Sequence, residues 1–326
     1  MENVTEGSVG LVERGGGGLC AGGGRAEGAE ALALALVYGG ALVLGLPLNA
    51  ASLWVLLRRH GLKSPSAVLM IHLATSDLLL VLSLPLRVLY LARGAWTLGP
   101  AICTATTMLF RNNIRTSSIF ITLISLDRLL AVVFPLRARP LRTVPCASRA
   151  CACVWLLVCV VSVPEGLKLH ASLPPRTCFE GVGGLGVPAL AQSGLLGALL
   201  VVNVACTGLV VRALRRRALV EEGGHTHTPA YTHTPAHTHT RVTLVLGLNL
   251  LTFCVFFVPF AVVRLGLCSV WPPPTFRAAV CLASLNCCFD PLVYYCSLDG
   301  FWRPHTHACT ATHTPPHLAS VRSHNT

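Results

Sequence analysis

SAVLMIHLATSDLLLVLSLPLRVLYL, residues 66–91, is an apolar run about a membrane wide, with one acid, Asp77, in its middle and one guanidinium, Arg87, near its end. About 20 such residues, rising 1.5 Å each as a helix, cross the hydrocarbon core of a bilayer. A carboxylate at mid-depth is costly against lipid, so Asp77 must face protein or water. The run therefore reads as one helix of a bundle.

Six further apolar stretches lie on either side of it, at residues 31–57, 100–134, 147–169, 187–211, 242–267 and 274–297. The expected fold class is an all-α membrane protein, a seven-transmembrane helix bundle. Composition agrees: 53% of residues are apolar and 12% charged, where soluble chains carry about 25% charge. The net charge of +12 fits basic cytoplasmic loops facing anionic lipid, and not nucleic acid. The 15 cysteines sit mostly in apolar runs, where a thiol behaves as a small hydrophobe.

Orientation follows from the short loops. Arg58, Arg59 and Lys63 follow the first run; Arg137, Arg139, Arg142 and Arg149 follow the third; Arg212, Arg215, Arg216, Arg217 and Arg241 flank the loop between the fifth and sixth. These alternate with less basic loops, so they are expected inside and the N-terminus outside. Residues 1–30 are Gly-rich and acidic, without a basic-then-apolar signal sequence, so the first span is expected to act as an uncleaved targeting segment. The expected organisation is an extracellular disordered segment at 1–30, a membrane domain at 31–298 with a third cytoplasmic loop at about 218–240, and a cytoplasmic tail at 299–326. Asn3-Val4-Thr5 is a glycosylation sequon on the outer side. His-Thr runs fill 225–240 and 305–317; alternating His can bind metal, but a repeated dinucleotide tract in the gene accounts for them better.

The buried polar residues carry the chemistry. Asp77 and Asp290, with Asn49, Asn113, Ser117 and Asn286 at similar depth, offer carboxylate, amide and hydroxyl oxygens suited to a small hard cation, sodium first; a hydrogen-bonded network without an ion is the other reading. Asp127-Arg128 at the inner end of span three can pair locally and open toward a partner protein. Cys103 and Cys178 both lie on the oxidising side, which permits a disulfide. Cys20 pairs with Cys268 or Cys281 or stays free. Near the outer ends lie Arg87, Arg93, Arg111, Lys168, Arg176, Arg264 and Arg277, with Arg115 deeper on the same helical face as Arg111. Snorkelling accounts for Arg93 and Arg176. Arg87, Arg111 and Arg264 are expected to contact a ligand with an anionic head, with Arg115, Lys168 and Arg277 as further candidates.

Taken together, GLPLNA around Asn49, LATSDLL, Trp96 before Cys103, SLDRLLAVVFPLR, Trp155, FCVFFVPF around Pro259 and DPLVYY through Tyr294 resemble the rhodopsin-like G-protein-coupled receptors over about residues 31–303. The DPLVYY form, SLPLR after Asp77 and Arg264 five residues after Pro259 are similar to the nucleotide and lysophospholipid receptor branch. The resemblance implies a sodium pocket of Asp77, Asn113, Ser117, Asn286 and Asp290, with no other cofactor. It implies activation switches at Asp127, Arg128, Phe253, Phe257, Pro259, Pro291 and Tyr294. It further implies a multi-pass plasma-membrane receptor, not an enzyme, that answers an anionic lysophospholipid such as lysophosphatidic acid and signals through heterotrimeric G proteins. A nucleotide or small carboxylate is the alternative ligand. The chain departs from the pattern at Leu129, where Tyr is usual, and at Phe257, where Trp is common. Span five has no proline beyond its first turn and no tyrosine. An intramembrane protease needs paired acids, which Asp77 and Asp290 nominally supply, but no GxGD context accompanies them. A transporter predicts internal repeats, and none is visible.

Overall fold

The computed structural model describes residues 20–179, 186–223, 236–265 and 273–297. Among the described residues every regular element is helical, and seven helices are long and apolar enough to cross a membrane. Asn3, Cys268, residues 224–235 of the His-Thr loop, the 305–317 tract and the Cys20 side chain lie outside the described set.

Local chemistry sets the helix ends. α1 (Cys20–Val55) starts ahead of its apolar run and closes through a π turn at Leu56–His60 and a short turn at Gly61–Lys63. α2 (Pro65–Arg93) opens on Ser64, whose hydroxyl accepts from the Ala67 N–H at 3.2 Å. Pro65 takes a first-turn place that needs no donor. The helix stops at Gly94, left-handed at φ 66°, whose N–H reaches the Tyr90 carbonyl at 2.9 Å. α3 is Gly99–Val133. α4 (Val144–Ser172) is capped by Thr143, which accepts from Cys146 N–H. α5 (Val187–Gly223) runs past residue 211 through its arginines, which are strong helix formers.

α6 runs Ala236–Thr252, passes through a π turn at Phe253–Phe257 and continues as Val258–Arg264. Pro259 has no N–H to offer and crowds the preceding turn. The ladder shifts in response, and the Val258 N–H donates to Phe253, five residues back. α7 is broken too, into Pro273–Ser284 and Asn286–Ser297 around Leu285. There the bonds tighten to three-residue spacing, Leu285 to Leu282 at 3.1 Å and Cys288 to Leu285 at 3.0 Å.

α3 is the axis of the bundle and packs against α2, α4, α5, α6 and α7. Phe120, Ile121, Ile124, Phe253, Phe257 and Tyr294 form the middle of the core. The usual order of polarity is inverted. Val43 and Val201 point outward about 70% exposed, whereas Asp77, Asn286 and Asp290 are fully buried. Such a surface is stable only in lipid, where helix faces are greasy and polar groups turn inward.

Candidate ligand cavity and buried polar core

The disulfide Cys103–Cys178 ties the start of α3 to the segment after α4. Arg176 and Phe179, on either side of Cys178, both adopt left-handed backbone, at φ 62° and 63°, an uncommon and strained choice for such residues. The Trp96 N–H holds the Arg176 carbonyl at 2.8 Å. Tyr90, Trp96 and Phe179 meet edge to face at 5.5–6.2 Å. This cluster fixes Phe179 over a cavity at the disulfide end of the bundle.

The cavity has two adjoining chambers. The first is lined by Arg87, Arg111 and Arg264 with Phe110, Phe179, Phe260 and Phe276. The second is lined by Leu34, Tyr38, Tyr90, Leu91 and Arg277. Arg87, Phe179, Phe276 and Val280 border both. The Arg87 guanidinium lies 5.1, 4.7 and 4.6 Å from the rings of Tyr38, Phe110 and Phe179. These cation–π contacts orient it while leaving its N–H groups for another acceptor. Arg264 is buried, 6.0 Å from the Phe260 ring.

Sequence reasoning missed Glu165. This acid on α4 is 2.5 Å from Arg111 through Oε1 and 2.5 Å from Arg115 through Oε2. Arg115 also donates to Asn112 Oδ1 at 3.3 Å and Ser162 Oγ at 3.4 Å, and Ser162 is itself bonded to Asn112. Thus Arg87, Arg111 and Arg264 meet in the first chamber and Arg277 borders the second, bridged to Glu30 of α1 at 3.0 Å. Arg115 and Lys168 line neither chamber; Lys168 is exposed on α4. Glu165 thus faces two guanidinium groups, Arg111 and Arg115, while Arg87 borders the same chamber as Arg111. That excess of positive charge beside aromatic and aliphatic walls suits an amphiphilic anion.

Below the cavity, Asp77 accepts from Asn113 at 3.0 Å and Ser117 at 3.3 Å, and Asp290 accepts from Asn286 at 3.3 Å. Asp77 on α2 and Asp290 on α7 are both fully buried. Asp77 Oδ2, Asp290 Oδ1, Asn113 Oδ1 and Asn286 Oδ1 are buried and take no hydrogen bond from a described donor. Oxygen acceptors so grouped repel one another unless something positive lies between them.

At the far end of the bundle Asp127 is held three ways. Ser66 donates to it at 2.5 Å, Arg142 at 2.9 Å, and Arg128 approaches at 3.7 Å. Asn249 of α6 donates to Ser125 at 3.1 Å, and Asn203 of α5 to Thr122 at 2.7 Å, so both outer helices are tied to α3. Phe253 and Phe257 stack edge to face at 5.3 Å inside the π turn. Tyr294 is fully buried near the polar core.

A family model described as 7 transmembrane receptor (rhodopsin family) matches residues 48–294. Lysophosphatidic acid receptor 4 of Mus musculus is 32% identical over 297 residues, covering 81% of this chain and 74% of its own. Lysophosphatidic acid receptor 5 of Bos taurus is 37% identical over 292 residues, covering 82% and 76%. Lysophosphatidic acid receptor 6 of Mus musculus is 31% identical over 286 residues, covering 79% and 78%.

Proposed function

Because the chain belongs to the rhodopsin family of seven-transmembrane receptors, and so is a multi-pass receptor of the cell membrane and not an enzyme, we propose that its agonist is an anionic lysophospholipid, lysophosphatidic acid first. One observation carries this reading: Arg87, Arg111 and Arg264 meet in a chamber that shares four wall residues with a second, largely apolar one. A headgroup phosphate takes the guanidinium groups through charge-assisted hydrogen bonds. The acyl chain takes the space past Arg87, against Leu34, Tyr38, Leu91 and Val280. The names of the relatives point to the same ligand class.

In this reading the disulfide end of the bundle faces outward and the Arg128 end faces the cytosol. Binding favours the conformation in which the inner part of α6 swings away from α3, which requires the Asn249–Ser125 bond to yield. Pro259 and the π turn are the weak point about which α6 pivots. Release of Arg128 from Asp127 opens an inner crevice for a heterotrimeric G protein.

The buried acceptors fit a sodium ion. Asp77, Asp290, Asn113, Ser117 and Asn286 supply hard oxygen donors, four of them with an atom lacking any described hydrogen-bond donor. A bound cation would supply the charge that lets the two carboxylates remain close; hydrogen bonds from Asn113 and Ser117 to Asp77 tie α3 to α2, and Asn286 holds Asp290 within α7.

The experiment is a ligand panel on cells carrying the receptor, read by G-protein activation. Oleoyl lysophosphatidic acid should activate at lower concentration than nucleotides or small carboxylates. A response to a nucleotide with none to the lipid would overturn the assignment.

A further inference from the structure

Glu165 poses a problem for any anion receptor, because it is an anion already present beside the site. Its side chain is 12% exposed, and its two oxygens are divided between Arg111 and Arg115. The two arginines differ in what else holds them. Arg115 has Asn112 and Ser162 as further partners and lines neither chamber. Arg111 faces the first chamber, and its Nη1 is committed to Glu165. Losing one partner from a buried ion pair is costly because it strands the other charge. With two arginines on one carboxylate, Arg111 can leave and Glu165 still keeps Arg115.

We propose that Glu165 is a built-in counter-ion that competes with the ligand's anionic head for Arg111, and that Arg115 is the partner that keeps Glu165 satisfied while Arg111 changes hands. The proposal rests on the anionic-ligand reading above. In the resting receptor Glu165 fastens Arg111 to α4. A bound phosphate draws the guanidinium into the chamber, so ligand binding loosens one tie between α3 and α4. Glu165 thereby sets the affinity threshold that an anion must exceed. Monoanions lacking a second interaction with Arg87 fall below it, which makes Glu165 a specificity-determining residue that does not touch the ligand.

The test is a concentration–response series with oleoyl lysophosphatidic acid on wild type, Glu165→Gln, Arg115→Gln and the double variant, at matched surface density measured by an epitope tag. Glu165→Gln should act at lower concentration, roughly three- to tenfold, as expected for removing one member of a coupled ion-pair network. Arg115→Gln should act at higher concentration, because Glu165 then holds Arg111 alone. The double variant decides the mechanism. With exchange, it keeps the gain of Glu165→Gln, since Arg111 has no competitor. With only a general field effect, one lost negative and one lost positive charge cancel and the response returns to that of wild type. A weaker response in Glu165→Gln at normal surface density would also overturn the proposal, since it would make Glu165 a support for Arg111 and not a rival. The double variant leaves neither charge of the Glu165–Arg115 pair stranded, so it carries the test where a single variant does not reach the surface. If wild type is silent to the lipid and answers a nucleotide, the lipid reading fails. The same series against that nucleotide then supports or overturns the exchange by the same criteria.

Discussion

Asn49 donates from Nδ2 to the carbonyl of Cys287 at 2.6 Å, the carbonyl that Pro291, four residues on, leaves without its helical donor. The side chain of α1 thus completes the ladder of α7. Its second Nδ2 bond returns to Gly45 at 3.0 Å, where a Cβ would come within 3.1 Å of Val81 and 3.3 Å of the Cys287 sulfur. A small residue there lets α1 approach α7 closely enough for Asn49 to reach. Asn49→Ala strands a buried carbonyl, which costs about 1–3 kcal/mol. The purified receptor should melt several degrees lower, and an unchanged melting temperature would contradict this account.

Arg87 is the border post between the two chambers. Arg87→Ala should raise the concentration of oleoyl lysophosphatidic acid needed for half-maximal response by roughly thirtyfold, the equivalent of about 2 kcal/mol at a central contact. A monoacylglycerol of the same chain length, which lacks the phosphate, should show no such loss. Equal losses for both lipids would mean that Arg87 supports the pocket's shape only.

Leu34 lines the second chamber and not the first. Leu34→Trp should shorten the space for the tail. Each methylene kept out costs about 0.8 kcal/mol, so excluding two lowers potency roughly tenfold. An eighteen-carbon lipid should suffer, and a ten-carbon one should not. Potency falling equally for both would remove the tail from this chamber.

Arg142, its side chain 30% exposed, holds Asp127 at 2.9 Å. Such a pair is worth about 0.5–1 kcal/mol. Arg142→Ala should therefore raise ligand-free G-protein activation, by roughly two- to fivefold in the population of the open state. Nucleotide exchange measured in membranes without ligand checks this; basal activity at or below wild type would show that Arg142 does not restrain the resting state.

The cluster around Asp77 and Asp290 predicts sensitivity to sodium. Replacing sodium chloride with choline chloride should tighten agonist binding to wild type, by roughly fivefold or more for sites coupled through a two-state bundle. Asp77→Asn should abolish the difference. A sodium effect that persists in Asp77→Asn would place the ion elsewhere.

The apolar runs made the seven helices legible, because lipid demands long uncharged stretches and tolerates few exceptions. Those exceptions, Asp77, Asp290, Asn113 and Arg111, were legible for the same reason. Glu165 was not. It lies three residues before Lys168 near the end of span four, where a charged pair reads as interface. Only the packing of α4 on α3 turns it toward Arg111 and Arg115. Phe179 was hidden differently: it follows a disulfide cysteine in a loop with no periodicity, and its aim depends on left-handed backbone at Arg176 and Phe179. Tyr38 and Phe110 looked like ordinary apolar positions until Arg87 was seen between their rings.

The π turn in α6 also sets where Arg264 ends up. A single surplus residue in an α-helix rotates everything beyond it by about 100° about the helix axis. Arg264 lies seven residues past Phe257, so its aim into the chamber is the product of that offset as much as of its own side chain. A chain trimmed by one residue within 253–257 would carry the same arginine at the same height, turned toward its neighbours or the lipid. The proposed anion site therefore depends on helical phase in α6, and scanning substitutions that preserve length would not detect that dependence.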